Sequence, residues 1–314
     1  MILIISFPEN SHVDRVTAHL SRPWRLVSTD WFPSRLALAM RAGGERRLAL
    51  RLPDGEWIDL ETVGAAWYRR IRPLEMDPAL TDPTSRLFAW SESTEALGGI
   101  WASLDCFWMN QPHADDRAQR KLWQLREAMA VGLAVPDTLV TNDPAEARAF
   151  IEARGPEQVI RKAFRNIAEA PRHTERLGSA DLARLDQVRF APVTFQSFVA
   201  ADLDLRTTYV DGEMFTAAIR SEPEYEADYR PGLGSATVTP YRLPDEVAER
   251  LDMLMKRLSL AYGAVDFRVT PEGEHVFLEV NPAGEYLFAS ERTGQPVPQA
   301  IAACLERHDR QHGQ

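Results

Sequence analysis

The sequence predicts an α+β protein of two or three domains, and three observations lead there. At 314 residues the chain exceeds what one ordinary hydrophobic core organises. Its 45% apolar and 26% charged content is normal for a globular protein, and short β-like runs alternate with stretches of helical spacing. The stretch Gly263–Gly284, GAVDFRVTPEGEHVFLEVNPAG, divides into the apolar runs Val265–Val269 and His275–Val280 around the turn-forming Pro271, Glu272 and Gly273. Two such runs read as an antiparallel hairpin.

Met1–Ser6 reads as the first strand, since it lacks the basic n-region and small-residue cleavage site of a signal peptide. His12–Leu20 follows as a helix and Arg25–Ser28 as a strand. From Leu36 the pattern alternates, giving strands at Leu36–Met40, Arg47–Leu52 and, after the Asp54–Gly55 turn, Trp57–Leu60. Val63–Arg69 is a further strand ending in the basic cluster Arg69, Arg70 and Arg72. Pro83–Leu104 has helical spacing, Cys106–Met109 is a short buried strand, and Asn110-Gln111-Pro112-His113 is a break.

Asp115–Gly132 is predicted as one helix with Gly132 as its stop. A strand at Val135–Thr141 leads to a helix capped by Asn142-Asp143-Pro144 and reaching Arg154. Gln158–Phe164 is a strand bearing Lys162; Arg165–Gly178 is polar and irregular; Ser179–Gln187 is a short helix and Val193–Ala200 a strand. Leu203–Val210 and Glu213–Arg220 form a hairpin about Asp211–Gly212, followed by a loop at Ser221–Gly234. The helix Pro244–Tyr262, the hairpin and a last helix, Val297–Arg307, complete the chain. The expected division is 1–112, 113–195 and 196–314.

The net charge of −10 argues against nucleic acid as a partner. No apolar run is long enough to span a bilayer. Cys106 and Cys304, both in apolar contexts, are expected as buried free thiols of a cytoplasmic protein.

Three hard oxygen donors lie on the C-terminal hairpin. Glu279 and Asn281 are two apart, so their side chains leave one face of the strand, and the register can bring Asp266 across from them. Two carboxylates and an amide on one face suit Mg²⁺ with positions left for water and phosphate oxygens. Glu279 lies inside an apolar run, where a charge is costly unless offset. Lys162, ending an apolar strand, reads either as a phosphate ligand or as a snorkelling surface lysine. Val193–Ala200, interrupted by Gln196 and Ser197, reads as a buried strand or as an edge offering backbone groups to an adenine. Arg206 shares a strand face with Asp204 and suits a transferring phosphoryl group or a structural salt bridge; Arg268, two residues after Asp266, can likewise face the metal site and stabilise an oxyanion or acyl phosphate.

The order Lys121, Lys162, Gln196–Val199, Arg206, Asp266, Arg268, Glu279, Asn281 resembles the ATP-grasp ligases over Asp115 to Ala289. WYRR at Trp67–Arg70, KLWQL at Lys121–Leu125, GLAVPDTLVTNDPAEARAF at Gly132–Phe150 and FLEVNPAGEYLF at Phe277–Phe288 look like the microviridin-type, or graspetide, ligases over nearly the whole chain. This resemblance implies an ATP-grasp fold with an N-terminal α/β pre-ATP-grasp lobe, ATP lying between the central and C-terminal lobes. It implies an ATP- and Mg²⁺-dependent ligase that phosphorylates Asp or Glu side chains of a ribosomally made precursor peptide. A Ser/Thr hydroxyl or Lys amine of the same peptide then closes an ω-ester or ω-amide ring.

On that resemblance Lys121 and Lys162 hold nucleotide phosphates, with Lys162 also counted as catalytic. Gln196, Ser197, Phe198 and Val199 line the adenine pocket, with Asp204 beside the nucleotide. Arg206 and Arg268 face the γ-phosphate and acyl phosphate, and Asp266, Glu279 and Asn281 hold Mg²⁺. Acidic side chains of the precursor would meet Arg69, Arg70 and Arg72. The segment Arg165–Leu177 has no glycine, unlike many ATP-grasp phosphate lids, so Arg165, Arg172 and His173 are candidates for side-chain contacts there. A homodimer is expected. The competing readings are a ligase adding an amino acid to a peptide or protein terminus and a non-catalytic nucleotide- and peptide-binding scaffold.

Overall fold

A computed structural model describes residues 1–44, 47–164 and 174–312. In the N-terminal lobe, Ile2–Ile5 runs parallel to Trp24–Val27 on one side and Ala65–Tyr68 on the other, with Phe107–Met109 beyond. Four consecutive fully buried residues, Ile2 to Ile5, mark a strand covered on both faces, as a parallel strand must be. The helix Pro83–Ser103 packs Leu97, Ile100 and Trp101 on one face. The other face is covered by the final helix, Val297–Gln311, through Val297, Ile301 and Leu305. This last helix, expected with the C-terminal lobe, thus belongs by packing to the first sheet. Asp309 near its end bonds the N-terminal amine at 2.6 Å and pairs with Arg22. Ala37–Arg41, Arg47–Arg51 and Trp57–Asp59 form the expected antiparallel addition.

Two antiparallel sheets follow. One orders Glu175–Arg176, Val159–Lys162, Val193–Ser197 and Thr138–Thr141. The other orders Thr237–Tyr241, Glu213–Arg220, Leu203–Val210, Tyr262–Val269 and His275–Asn281. Leu251, Leu254 and Met255 of the helix Asp245–Arg257 join Leu205, Val265 and Phe277 in the core under the larger sheet.

Four expectations are corrected. The single helix Asp115–Gly132 is two, Pro112–Ala118 and Lys121–Ala130, with Gly132 at φ 82° after the second. The break puts Lys121 in a first turn and lets buried Gln124 pair with Val280 like an extra strand residue: its Nε2 donates to the Val280 carbonyl at 2.7 Å and its Oε1 accepts from the Val280 N–H at 3.0 Å. The strand Thr237–Tyr241 was not expected, because Pro240 interrupts it; proline is tolerated there since the strand is an edge. The helix expected to reach Tyr262 stops at Arg257, Ser259 takes φ 57°, and Tyr262 opens the next strand. A short helix, Leu287–Thr293, follows the hairpin.

Candidate active site

The site is built on three neighbouring strands whose register sets its charges. Asp204 is opposite Arg268, and Arg206 opposite Asp266, between Leu203–Val210 and Tyr262–Val269. Asp266 is in turn opposite Glu279 on His275–Asn281. The carboxylate expected to orient Arg206 was Asp204, two residues away; cross-strand geometry assigns Asp266 instead, with Arg206 Nη1 donating to both its oxygens at 2.8 and 2.9 Å. Asp204 pairs with Arg268 at 3.2 Å. Opposite charges directly across an antiparallel ladder attract, which offsets part of the cost of burying them where water is scarce.

The register shifts between Asp266 and Phe267, so that Asp266 faces Glu279 while Phe267 faces Phe277, leaving Leu278 as an extra residue. Such a bulge re-aims side chains. Leu278 and Glu279, although adjacent in sequence, both line one cavity of about 570 Å³ between the two antiparallel sheets. Phe277 and Val280 remain in the core beneath.

That cavity also receives Lys121, Lys162, Asp204, Asp266 and Arg268. Lys121 Nζ lies 2.7 Å from Glu279. Burial alone would raise the Glu279 carboxyl, but Lys121, Lys162 and Arg230 outweigh it and hold the pKa below the ordinary value. Asp266 is raised by burial, against Arg206 and reinforced by Glu279. Burial lowers the Lys162 ammonium to about 8. Two facing carboxylates with cations beside them in a partly dry cleft are a donor set that fits a hard divalent cation bridging to phosphate.

Gln196, Ser197 and Val199 line the cavity from the smaller sheet. Gln196 is buried; its Nε2 donates to Thr138 Oγ1 at 2.9 Å, while its Oε1 has no partner among the described residues. The Ser197 and Phe198 amides are spent on the carbonyls of Asp137 and Gln158, both at 2.8 Å. A buried acceptor in want of a donor fits an exocyclic amine.

A family model described as the MvdD pre-ATP grasp domain matches residues 1–116. The macrocyclase MdnC of Microcystis aeruginosa MRC, solved with the precursor peptide MdnA, is 31% identical at a TM-score of 0.86, over 98% of this chain and 99% of that one. The chain belongs to the graspetide ATP-grasp ligases. Macrocyclase MdnB of the same organism is 32% identical, TM-score 0.80, over 97% of this ligase and 98% of its own chain. A RiPP-associated ATP-grasp ligase of Chryseobacterium gregarium, solved with ADP and a leader and core peptide, is 25% identical, TM-score 0.89, over 98% and 96%. No curated protein matches the chain.

Several expected site residues lie elsewhere in this ligase. Arg206 stands behind Asp266, outside the cavity lining. Phe198 lies under the guanidinium groups of Arg176 and Arg268, 3.5 and 5.3 Å from its ring centre. Asn281 is exposed, opposite Ala264, its Oδ1 accepting from the Ala283 N–H at 3.0 Å, and it does not line the cavity. Arg69, expected at the surface to meet a peptide, is only 1% exposed; both its terminal nitrogens donate to the Gly284 carbonyl at 3.2 Å, among the rings of Trp67, Tyr262 and Tyr286. It welds the first sheet to the turn after the hairpin. Arg70 pairs with Glu285 at 2.9 Å and Arg72 with Asp30 at 3.5 Å. Arg165, Arg172 and His173 fall outside the described residues. Cys106, expected buried, is half-buried; Cys304 is buried, and both are free. Among the described residues no helix is long and apolar enough to cross a membrane.

Tyr229 and Arg230 line the cavity, yet sequence reading took Ser221–Gly234 only as a loop. A buried tyrosine in a polar loop was the available signal: Tyr229 is 9% exposed, and its hydroxyl is raised by burial and by Asp266.

Proposed function

We propose that this ligase uses ATP and Mg²⁺ to phosphorylate Asp or Glu side chains of a ribosomally made precursor peptide and closes ω-ester or ω-amide rings on it. The reading rests on one arrangement: Asp266 facing Glu279 across the hairpin, with Lys121 and Lys162 on the same cavity. It is supported by family membership over nearly the whole chain.

A carboxylate is a poor electrophile, and phosphorylation gives its carbon a leaving group. Lys121 and Lys162 draw the nucleotide phosphates into the cleft and hold them as the charge shifts. Asp266 and Glu279 hold the magnesium, with Asn281 one step further along the same strand face. A magnesium ion held by Asp266 and Glu279 would supply positive charge to offset that of the phosphate oxygens. Gln196, Ser197 and Val199 form the adenine wall. Arg268 faces the peptide acid as it becomes an acyl phosphate, and Arg206 opposes the upward shift that burial gives Asp266 and keeps its carboxylate aimed. Residues 113–195 and 196–296 are the two ATP-grasp lobes, with residues 1–112 and the last helix the peptide-side lobe. The ligase works where ATP is available, in the cytoplasm.

The test is mass. Incubated with ATP, Mg²⁺ and the peptide encoded by the neighbouring reading frame, the ligase is expected to release ADP and remove one water per ring. Addition of a residue would instead favour terminal ligation. Absence of ADP release with any peptide carrying Thr/Ser or Lys and Glu/Asp would leave only a nucleotide-binding scaffold.

A further inference from the structure

The strand that carries Glu279, His275–Asn281, is the outer edge of the larger sheet, so one row of its backbone groups has no strand beside it. Residues 121–134 take up that row at two points. The Phe277 N–H donates to the Ala134 carbonyl at 2.8 Å, where Ala134 forms a parallel bridge with Val276. Three residues on, the Val280 N–H and carbonyl both bond the Gln124 side chain, at 3.0 and 2.7 Å. Between these two anchors lie Leu278 and Glu279, the neighbours that the bulge turns into the cavity.

Gln124 is 1% exposed, and its amide is fully used. Besides the Val280 carbonyl, its Nε2 donates to the Ala118 carbonyl at the end of the preceding helix. Gln124 and Lys121 are three apart on the helix Lys121–Ala130, so they share a face. Lys121 meets Glu279 while Gln124 holds the next residue of the strand. A bulge leaves one residue out of the ladder, so other contacts must hold the direction of its side chains. A buried amide with every bond made does this, because any shift leaves a buried polar group unpaired.

We propose that Gln124 is a positioning residue for the magnesium site: its amide pins the bulged edge strand so that the Glu279 carboxylate faces Asp266, and ties that carboxylate to the helix carrying Lys121. The proposal rests on the ligase reading above, in which Asp266 and Glu279 hold the ion. Gln124 acts through the backbone of Val280 and does not itself line the cavity. Groups that orient a metal ligand in this way change metal affinity by about 10- to 100-fold.

Mn²⁺ bound in the presence of ADP, counted by paramagnetic resonance, reads the site without turnover. Gln124→Met fills the same space and makes none of the three bonds; it is expected to weaken Mn²⁺ binding at least about tenfold. Its ADP release at saturating Mg²⁺ should stay within about threefold of wild type, since the ion, once bound, does the same chemistry. Gln124→Asn keeps the amide one methylene short of Val280 and should weaken binding in the same direction. In a Glu279→Gln background, Gln124→Met should cost less than about twofold more, because it acts through that carboxylate. Leu251→Ala, in the core under the same sheet, should lose stability with Mn²⁺ affinity unchanged, which separates positioning from general loosening. Wild-type Mn²⁺ binding by the Gln124 variants, effects of Gln124→Met and Glu279→Gln that multiply, or an equal loss in Leu251→Ala each overturns the proposal. A wild-type protein that binds no Mn²⁺ with ADP would instead sink the ligase reading beneath it.

Discussion

Arg206 and Asp266 are register partners on adjacent antiparallel strands, and a single nitrogen of the arginine touches both oxygens of the carboxylate. The other two nitrogens donate to the Glu285 carbonyl at 3.3 and 3.2 Å. One side chain therefore binds a proposed magnesium ligand to the turn that follows the hairpin.

Removing one partner of a largely buried pair leaves the other's desolvation uncompensated. Arg206→Ala is expected to lower stability by about 3 kcal/mol. Arg206→Lys should restore little, since one ammonium cannot reach both Asp266 and Glu285 in that fork geometry. Urea unfolding of the two variants checks this; wild-type midpoints for Arg206→Ala would show that the pair holds nothing together.

Glu279→Gln keeps the shape of the side chain and removes half of the facing carboxylate pair. Its ADP release at limiting Mg²⁺ should drop at least about 100-fold. Asn281→Ala, outside the cavity, should cost less than Glu279→Gln does. Chelation with EDTA should abolish release in the wild type. Mg²⁺ titrations of all three proteins measure the order, and an Asn281 variant more affected than Glu279→Gln would move the ion towards the turn.

Lys162 carries a pKa lowered to about 8, with burial the largest cause. Below that pH the ammonium is charged and attracts phosphate; above it the charge is lost. ATP affinity of the free enzyme should therefore fall as pH rises through about 8. Because bound phosphate favours the charged lysine, nucleotide binding near that pH should take up a proton. Calorimetry in buffers of different ionisation enthalpy reads the uptake directly, and Lys162→Ala should abolish it.

Arg69 fills a buried site between three rings, so Arg69→Ala leaves a cavity and is expected to cost about 3 kcal/mol. A thermal melt measures the loss. Precursor affinity of the protein that remains folded should stay within experimental error of wild type. A stable Arg69→Ala enzyme with weakened peptide binding would return this arginine to the surface.

Gly284 packs against the hairpin so closely that an added Cβ would overlap the Ala264 side chain and lie 3.2 Å from Asn281 Cβ. Gly284→Ala should push the Asn281–Gly284 turn off the strand, weakening Mg²⁺ dependence and stability together. Parallel titration and melting curves test the coupling.

Local patterns were legible because they are set by local forces. The eight residues of Leu203–Val210 and of Glu213–Arg220 sit where the alternation and the Asp211–Gly212 turn placed them. Asp266 and Glu279 were legible as a pair because a hairpin's turn limits its register. Thr237–Tyr241 escaped because proline in an edge strand mimics a loop, and Lys121–Ala130 because a helix break without glycine or proline leaves no mark.

By itself the sequence determined the succession of elements, the hairpin with its oxygen donors and the family of the chain, since these depend on spacing along one segment. Tertiary structure alone decided that Arg206 answers to Asp266 and Arg268 to Asp204, that Arg69 is interior, and that the last helix covers the first sheet. Those relations join residues 60, 64, 215 and about 300 positions apart. Between such residues only the register of strands and the competition for buried surface choose partners.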